Sequence, residues 1–97
     1  MTVKLVVLYT QPDDPDAFDR HYFDIHKPLV DAMPGLMRFE TGTFGTKAPY
    51  YRVAELYFAD RDALNVASSS PEGQATNADF AQLAPPGSQI LIEDVND

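Results

Sequence analysis

The chain contains no cysteine. That excludes disulfides, thiolate nucleophiles and cysteine-based zinc sites. Basic residues are also scarce: seven Lys and Arg stand against 15 Asp and Glu, for a formal charge of −8 and a pI near 4.4. Nucleic-acid binding needs clustered Lys and Arg on phosphates, so it is excluded. Docking on anionic membrane surfaces fails for the same reason. No run approaches the ~20 apolar residues of a membrane span. No charged segment leading into a long apolar stretch marks a signal peptide. A soluble cytoplasmic protein is expected.

Other absences narrow the chemistry. There is no Gly-x-Ser-x-Gly nucleophile elbow. Thr41-Gly42-Thr43-Phe44-Gly45 has glycines but lies in a hairpin and opens no helix, so it is no phosphate loop. His21 and His26 are five residues apart and do not share an α-helical face as an i, i+4 pair would. Asp and Glu are plentiful but lack ligand spacing. No metal site is expected, and no cofactor signature is seen.

What is present fits one domain over residues 1–97. A domain of this size buries only about two thirds of its unfolded surface. Yet 44% of the residues are hydrophobic, and a second subunit is the simplest cover for that surplus. Much of the acid sits in residues 11–31, where six Asp face Arg20 and Lys27; this is a solvated helix face.

Four strands and two helical regions follow in the order β-α-β-β-α-β. The strands span residues 3–10, 36–44, 50–58 and 88–95. The first helical region runs over residues 15–31, capped by Asp14 with Pro15 in its first turn and ended by Pro34-Gly35. The second starts after Asp60, is interrupted at Ser68-Ser69-Ser70-Pro71 and resumes over 72–83. This order predicts an α+β, ferredoxin-like fold: a four-stranded antiparallel sheet with helices on one face. The first strand is apolar on both sides, with Val3, Leu5, Val7 and Tyr9 on one and Val6 and Leu8 on the other. Such a strand is covered on both sides, so a homodimer packed through the open sheet face is expected.

At about 100° per residue, Ile25, Leu29 and Tyr22 fall within about 40° of Phe18, and His26 follows at about 80°, inside the apolar arc. His21 falls on the opposite rim beside the acidic surface and is not counted in a site. A buried imidazole costs free energy unless it is paired or faces a pocket. Near pH 7 it can also move a proton. Tyr22, one turn earlier, can hold an oxygen. Asp19 is about 10 Å away along the axis, so a carboxylate that orients the ring would come from elsewhere, and Glu55 is one candidate. Pro28 removes a backbone donor and clashes with the carbonyl of Asp24, so a bend near His26 is expected. The candidate catalytic residues are His26 and Tyr22. A pocket of rings and apolar groups between helix and sheet would use Tyr9, Phe18, Phe23, Leu29, Tyr51 and Glu55.

The opening strand with Tyr9, Asp14-Pro15, Phe18, Tyr22-Phe23-Asp24-Ile25-His26-Lys27-Pro28-Leu29 and Pro34-Gly35-Leu36 together resemble the EthD family. Ser70-Pro71-Glu72-Gly73 and Asp79 match more weakly. The resemblance implies a dimeric α+β barrel and a link to bacterial degradation of ethers and other organic compounds. His26 matches the family's motif histidine, and Tyr22 its aromatic partner. Related barrels include cofactor-free monooxygenases, cyclases, dehydratases and lactone isomerases. Two functions follow as expectations. One is cofactor-free acid–base catalysis on a small hydrophobic, oxygenated ring compound or ketone. The other is a non-catalytic carrier or accessory protein to an oxygenase pathway.

Overall fold

The computed structural model describes residues 1–96. Strand β1 is Val3–Thr10, β2 Arg38–Thr43, β3 Tyr50–Phe58 and β4 Gln89–Asp94. All pairings are antiparallel, and the sheet order is β2-β3-β1-β4. This is the ferredoxin-like arrangement the pattern predicts. Helix α1 is Pro15–His21, α2 Lys27–Asp31, α3 Arg61–Ser69 and α4 Pro71–Leu83. Among the described residues no helix is long and apolar enough to cross a membrane.

The caps act where the sequence places them. The Asp14 carboxylate accepts from the Ala17 N–H at 3.1 Å, and Asp60 accepts from the Ala63 N–H at 2.8 Å. Ser70 separates α3 from α4, and its hydroxyl oxygen accepts from the Gly73 N–H at 3.0 Å. The break folds the end of α3 tightly onto α4. A Cβ at Gly73 would run into the Ala67 carbonyl and lie 2.8 Å from the Ser68 Cα, so only glycine fits there without a backbone shift.

Between α1 and α2 the chain does not simply bend. Residues Tyr22–His26 form a π turn, with the Lys27 N–H bonded to the Tyr22 carbonyl. Pro28 has no N–H to offer and would crowd the Asp24 carbonyl in an α-helical turn; the wider turn relieves this. The extra residue resets the helix phase. Phe18, Tyr22, His26 and Val30, each four apart, are all buried. Ile25, expected in the apolar arc, is 50% exposed, and Phe23 is 46% exposed. That correction follows from the turn, because a wheel drawn at constant α-helical pitch does not contain it.

The helices cover one face of the sheet. There Val3, Val7 and Tyr9 of β1 meet Ala54, Leu56 and Phe58 of β3 in the core. The other face carries Val6, Leu8, Val53 and Leu91 among Lys4, Glu55, Tyr57 and Glu93, and among the described residues no element covers it. On edge strand β4, Ile90, Leu91 and Ile92 are each 48% exposed.

Candidate active site

His26 is 4% exposed, on the last residue of the π turn. Its Nδ1–H donates to Asp79 Oδ2 at 2.9 Å. A carboxylate can only accept, so Nδ1 carries the proton and Nε2 presents its lone pair. Nε2 lies 3.4 Å from the Tyr9 hydroxyl, which donates to it in a long hydrogen bond. Burial pushes the His26 pKa below the ordinary imidazole value, the neighbouring His21 acts in the same direction, and Asp79 offsets part of the fall. The ring is therefore neutral at pH 7. Burial raises the Tyr9 pKa strongly, so its phenol keeps its proton.

Asp79 serves a second ring. His21 Nε2–H donates to Oδ1 at 2.9 Å and to Oδ2 at 3.1 Å. On a regular α-helix residues five apart point in different directions. In a π turn, whose hydrogen bonds span five residues, they stack one turn apart. The π turn beside Pro28 thus brings His21 and His26 to the same carboxylate. His21, left out on the α-helical wheel, belongs to the site.

A void of about 30 Å³ lies against Tyr9, Tyr22, His26, Met33, Phe80 and Ile90. That is room enough for water, which needs polar partners of the kind His26 and Tyr9 present. Tyr9 is the hub of the surrounding rings, with centroids of Phe18, Tyr22 and Phe80 at 5.4, 5.7 and 5.6 Å.

The other expected residues are distributed differently. Tyr22 is fully buried and its ring centroid lies 5.5 Å from that of His26. Its hydroxyl has no hydrogen-bond partner among the described residues. The Arg52 guanidinium sits over its ring at 4.5 Å and over that of Phe23 at 4.9 Å. Arg52 also donates to Thr41 Oγ1 at 2.9 Å and Asp19 Oδ1 at 3.2 Å, while the Tyr51 hydroxyl donates to Asp19 Oδ2 at 2.7 Å. Tyr51 and Phe23 thus belong to an arginine cluster, not to the wall of the void. Leu29 is half-buried outside it, and Phe18 lines an outer cleft instead.

Glu55 does not orient His26. It projects from the opposite face of the sheet, accepts from the Tyr57 hydroxyl at 3.3 Å and lies 3.7 Å from Lys4 Nζ. Residues 54, 56 and 58 of β3 point to the helices, so residue 55 cannot. Asp79, 53 residues from His26 in the chain, takes the role. Its presence among the weaker EthD-like residues was the one signal in the sequence. Among the described residues no group of three His, Cys, Asp or Glu is arranged to hold a metal ion.

The EthD domain model matches residues 11–86. The chain belongs to the EthD family. This EthD protein is 38% identical over 95 residues to an uncharacterized 11.0 kDa protein from the thcB–thcC intergenic region of Rhodococcus erythropolis, covering 94% of this chain and 92% of that one. An EthD family protein from Bacillus halodurans superposes with a TM-score of 0.92 at 34% identity, over 99% of this chain and all of that one. Two more distant structures share the fold. One is SnoaB, a cofactor-independent oxygenase from Streptomyces nogalater, at 19% identity and TM-score 0.75, covering 99% and 94% of the two chains. The other is a dimeric ferredoxin-like protein from Thermobifida fusca, at 17% identity and TM-score 0.77, covering 98% and 92%.

Proposed function

We propose that this EthD protein binds a small hydrophobic, oxygenated compound, a ring compound or ketone, beside His26 and moves a proton on it without a cofactor. The observation that carries this is the two-sided environment of one ring. Nδ1 is fixed by a carboxylate, while Nε2 meets the Tyr9 hydroxyl at the wall of an apolar void. A neutral imidazole held in one tautomer is a general base. Tyr9, with its proton retained, donates to the ligand oxygen, a role the sequence suggested for Tyr22. Tyr22 supplies part of the wall. Isomerisation, dehydration, cyclisation and oxygenation of an activated substrate all begin with such a proton transfer. That SnoaB carries out cofactor-independent oxygenation supports placing chemistry of this kind on the fold.

A ring does not fit in about 30 Å³, so the wall opens on binding. Ile90 is part of that wall and is also 48% exposed, which makes it the thin side. A second copy of the chain covers the open sheet face, where Val6, Leu8, Val53 and Leu91 form the apolar contact. The dimeric relative from Thermobifida fusca supports this assembly. Light scattering at micromolar concentration gives twice the chain mass; a stable monomer defeats it.

A second function is favoured by the smallness of the void: a non-catalytic carrier in which the His–Asp pair only holds the helices together. The base probe 5-nitrobenzisoxazole separates the two. Its ring opens when a base removes the ring proton, with a change in absorbance. Wild-type protein accelerates this by about 10²–10⁴-fold over buffer, and His26→Gln loses the acceleration while keeping its melting temperature. Binding without turnover in either variant identifies the carrier. No binding at all removes the pocket.

A further inference from the structure

Outside the void, an open cleft of about 650 Å³ lies at the end of the sheet, lined by Gln11, Asp13, Phe18, His21, Gln82 and Pro85 among others. It does not touch His26, but it does touch His21, whose side chain is 31% exposed. Asp79, 11% exposed, lies between the two rings. One of its oxygens, Oδ2, is 2.9 Å from His26 Nδ1 and 3.1 Å from His21 Nε2. The buried imidazole therefore has a continuous chain of hydrogen bonds to the cleft that avoids the ligand void altogether.

We propose that His21, Asp79 and His26 form a proton path connecting the cleft to the void, with His21 as its solvent-side terminus. The inference rests on His26 being the group that moves a proton. A base sealed in apolar packing can act once, and it then needs a route by which its proton reaches water while the ligand still blocks the void. The hops balance. His26 takes a proton at Nε2 and becomes an imidazolium. His21 rests with its Nε2–H on Asp79 and first shifts its proton to Nδ1 through water in the cleft, which frees the Nε2 lone pair. The His26 Nδ1 proton then passes to Asp79 Oδ2 and on to His21 Nε2. His26 is left neutral with the ligand's proton on Nε2 and Nδ1 bare, Asp79 is again a carboxylate, and His21 is the imidazolium. The resting tautomer of His26 returns when Nε2 donates to a ligand oxygen as a proton comes back to Nδ1 along the path. His21 then releases a proton to water in the cleft, and being half-exposed it resets its tautomer through the same water. Run backwards, the path recharges His26 for donation.

The pairing also has a structural explanation, in which His21 only steadies Asp79. The test separates these without any substrate. In full-length protein labelled with ¹⁵N at histidine, exchange of the His26 Nδ1 proton with water is read by saturation transfer. His21→Gln keeps an N–H donor for Asp79 but carries no proton across. His21→Phe removes both functions, and the half-exposed site tolerates the ring. The path predicts that exchange slows by about tenfold in both variants, because only rarer local opening remains. Wild-type exchange in His21→Gln, with slowing or speeding confined to His21→Phe, overturns the path and leaves His21 as a positioning residue. Unchanged exchange in both variants overturns it as well. Probe turnover is a separate measurement, so failure of the path and failure of the acid–base function are told apart.

Discussion

Two polar clusters hold the first helical region to the rest of the molecule, and they are built alike. In one, Asp19 of α1 meets Arg52, Tyr51 and Thr41 across the layer. In the other, His21 and His26 meet Asp79 of α4, with Tyr9 behind. Each joins a carboxylate to nitrogen donors, and each packs against the ring of Tyr22. They differ in what their donors can do. A guanidinium keeps its charge at any accessible pH and stacks on flat rings, so Arg52 is a rivet. An imidazole gives up its charge near neutrality, and His26 lines a void that Arg52 does not. Similar architecture thus yields a brace on one side and a titratable site on the other.

The largest effect expected of any substitution falls on the brace. Arg52→Leu strips Asp19 of its buried cation and Tyr22 of its stacking partner. It costs about 3 kcal/mol, the lower end for breaking a buried pair, because the Asp19 side chain is 34% exposed. Urea denaturation measures this; a loss below half that size erases the contrast between the clusters.

Asp79→Asn probes the other side. It removes the charged acceptor of two imidazoles and costs about 2 kcal/mol at pH 7. Asp79 raises the His26 pKa, so the variant shifts the His26 titration to lower pH still. A shift upward in an NMR titration contradicts the assigned pairing.

The pH dependence of stability comes next. The folded-state pKa of His26 is depressed by burial, whereas the unfolded chain titrates near 6.5. Between the two values the unfolded state binds more protons, so stability rises with pH there. The contribution is complete above pH 6.5 and is lost as pH falls from 6.5 through the folded value, by at most about 1.4 kcal/mol per pH unit. His26→Gln removes that segment of the curve and Arg52→Leu does not. Thermal melts of the two variants between pH 5 and 7 show the difference, and parallel curves refute it.

Tyr9→Phe is the mildest change. Its hydroxyl makes a long bond to His26, so stability falls by about 0.5 kcal/mol. Turnover of the benzisoxazole probe falls much more, through the lost donor. A stability loss above 2 kcal/mol, with turnover intact, makes Tyr9 part of a brace instead.

Much of this was legible from residue types and order. Asp14, Pro15, Asp60 and Ser70 mark helix starts, Pro34-Gly35 marks a stop, and the strand order follows from alternation of apolar runs. Pro28 flagged a disturbance beside His26. The form it takes was not legible, because proline excludes an α-helical bond without choosing between a kink and a π turn. That choice decided Ile25 and His21 together, moving one out to solvent and the other into the site. Glu55 was misjudged because both faces of β3 carry apolar residues, so alternation there does not reveal which face meets the helices.

Local chemistry, then, determined the elements, the buried histidine and the surplus of apolar surface, since caps, turns and periodicity act over a few residues. Tertiary structure decided that histidine's partners. Asp79 and Tyr9 lie 53 and 17 residues from it in the chain. Only the packing of α4 against the π turn, and of both against β1, brings a carboxylate to one nitrogen and a phenol to the other.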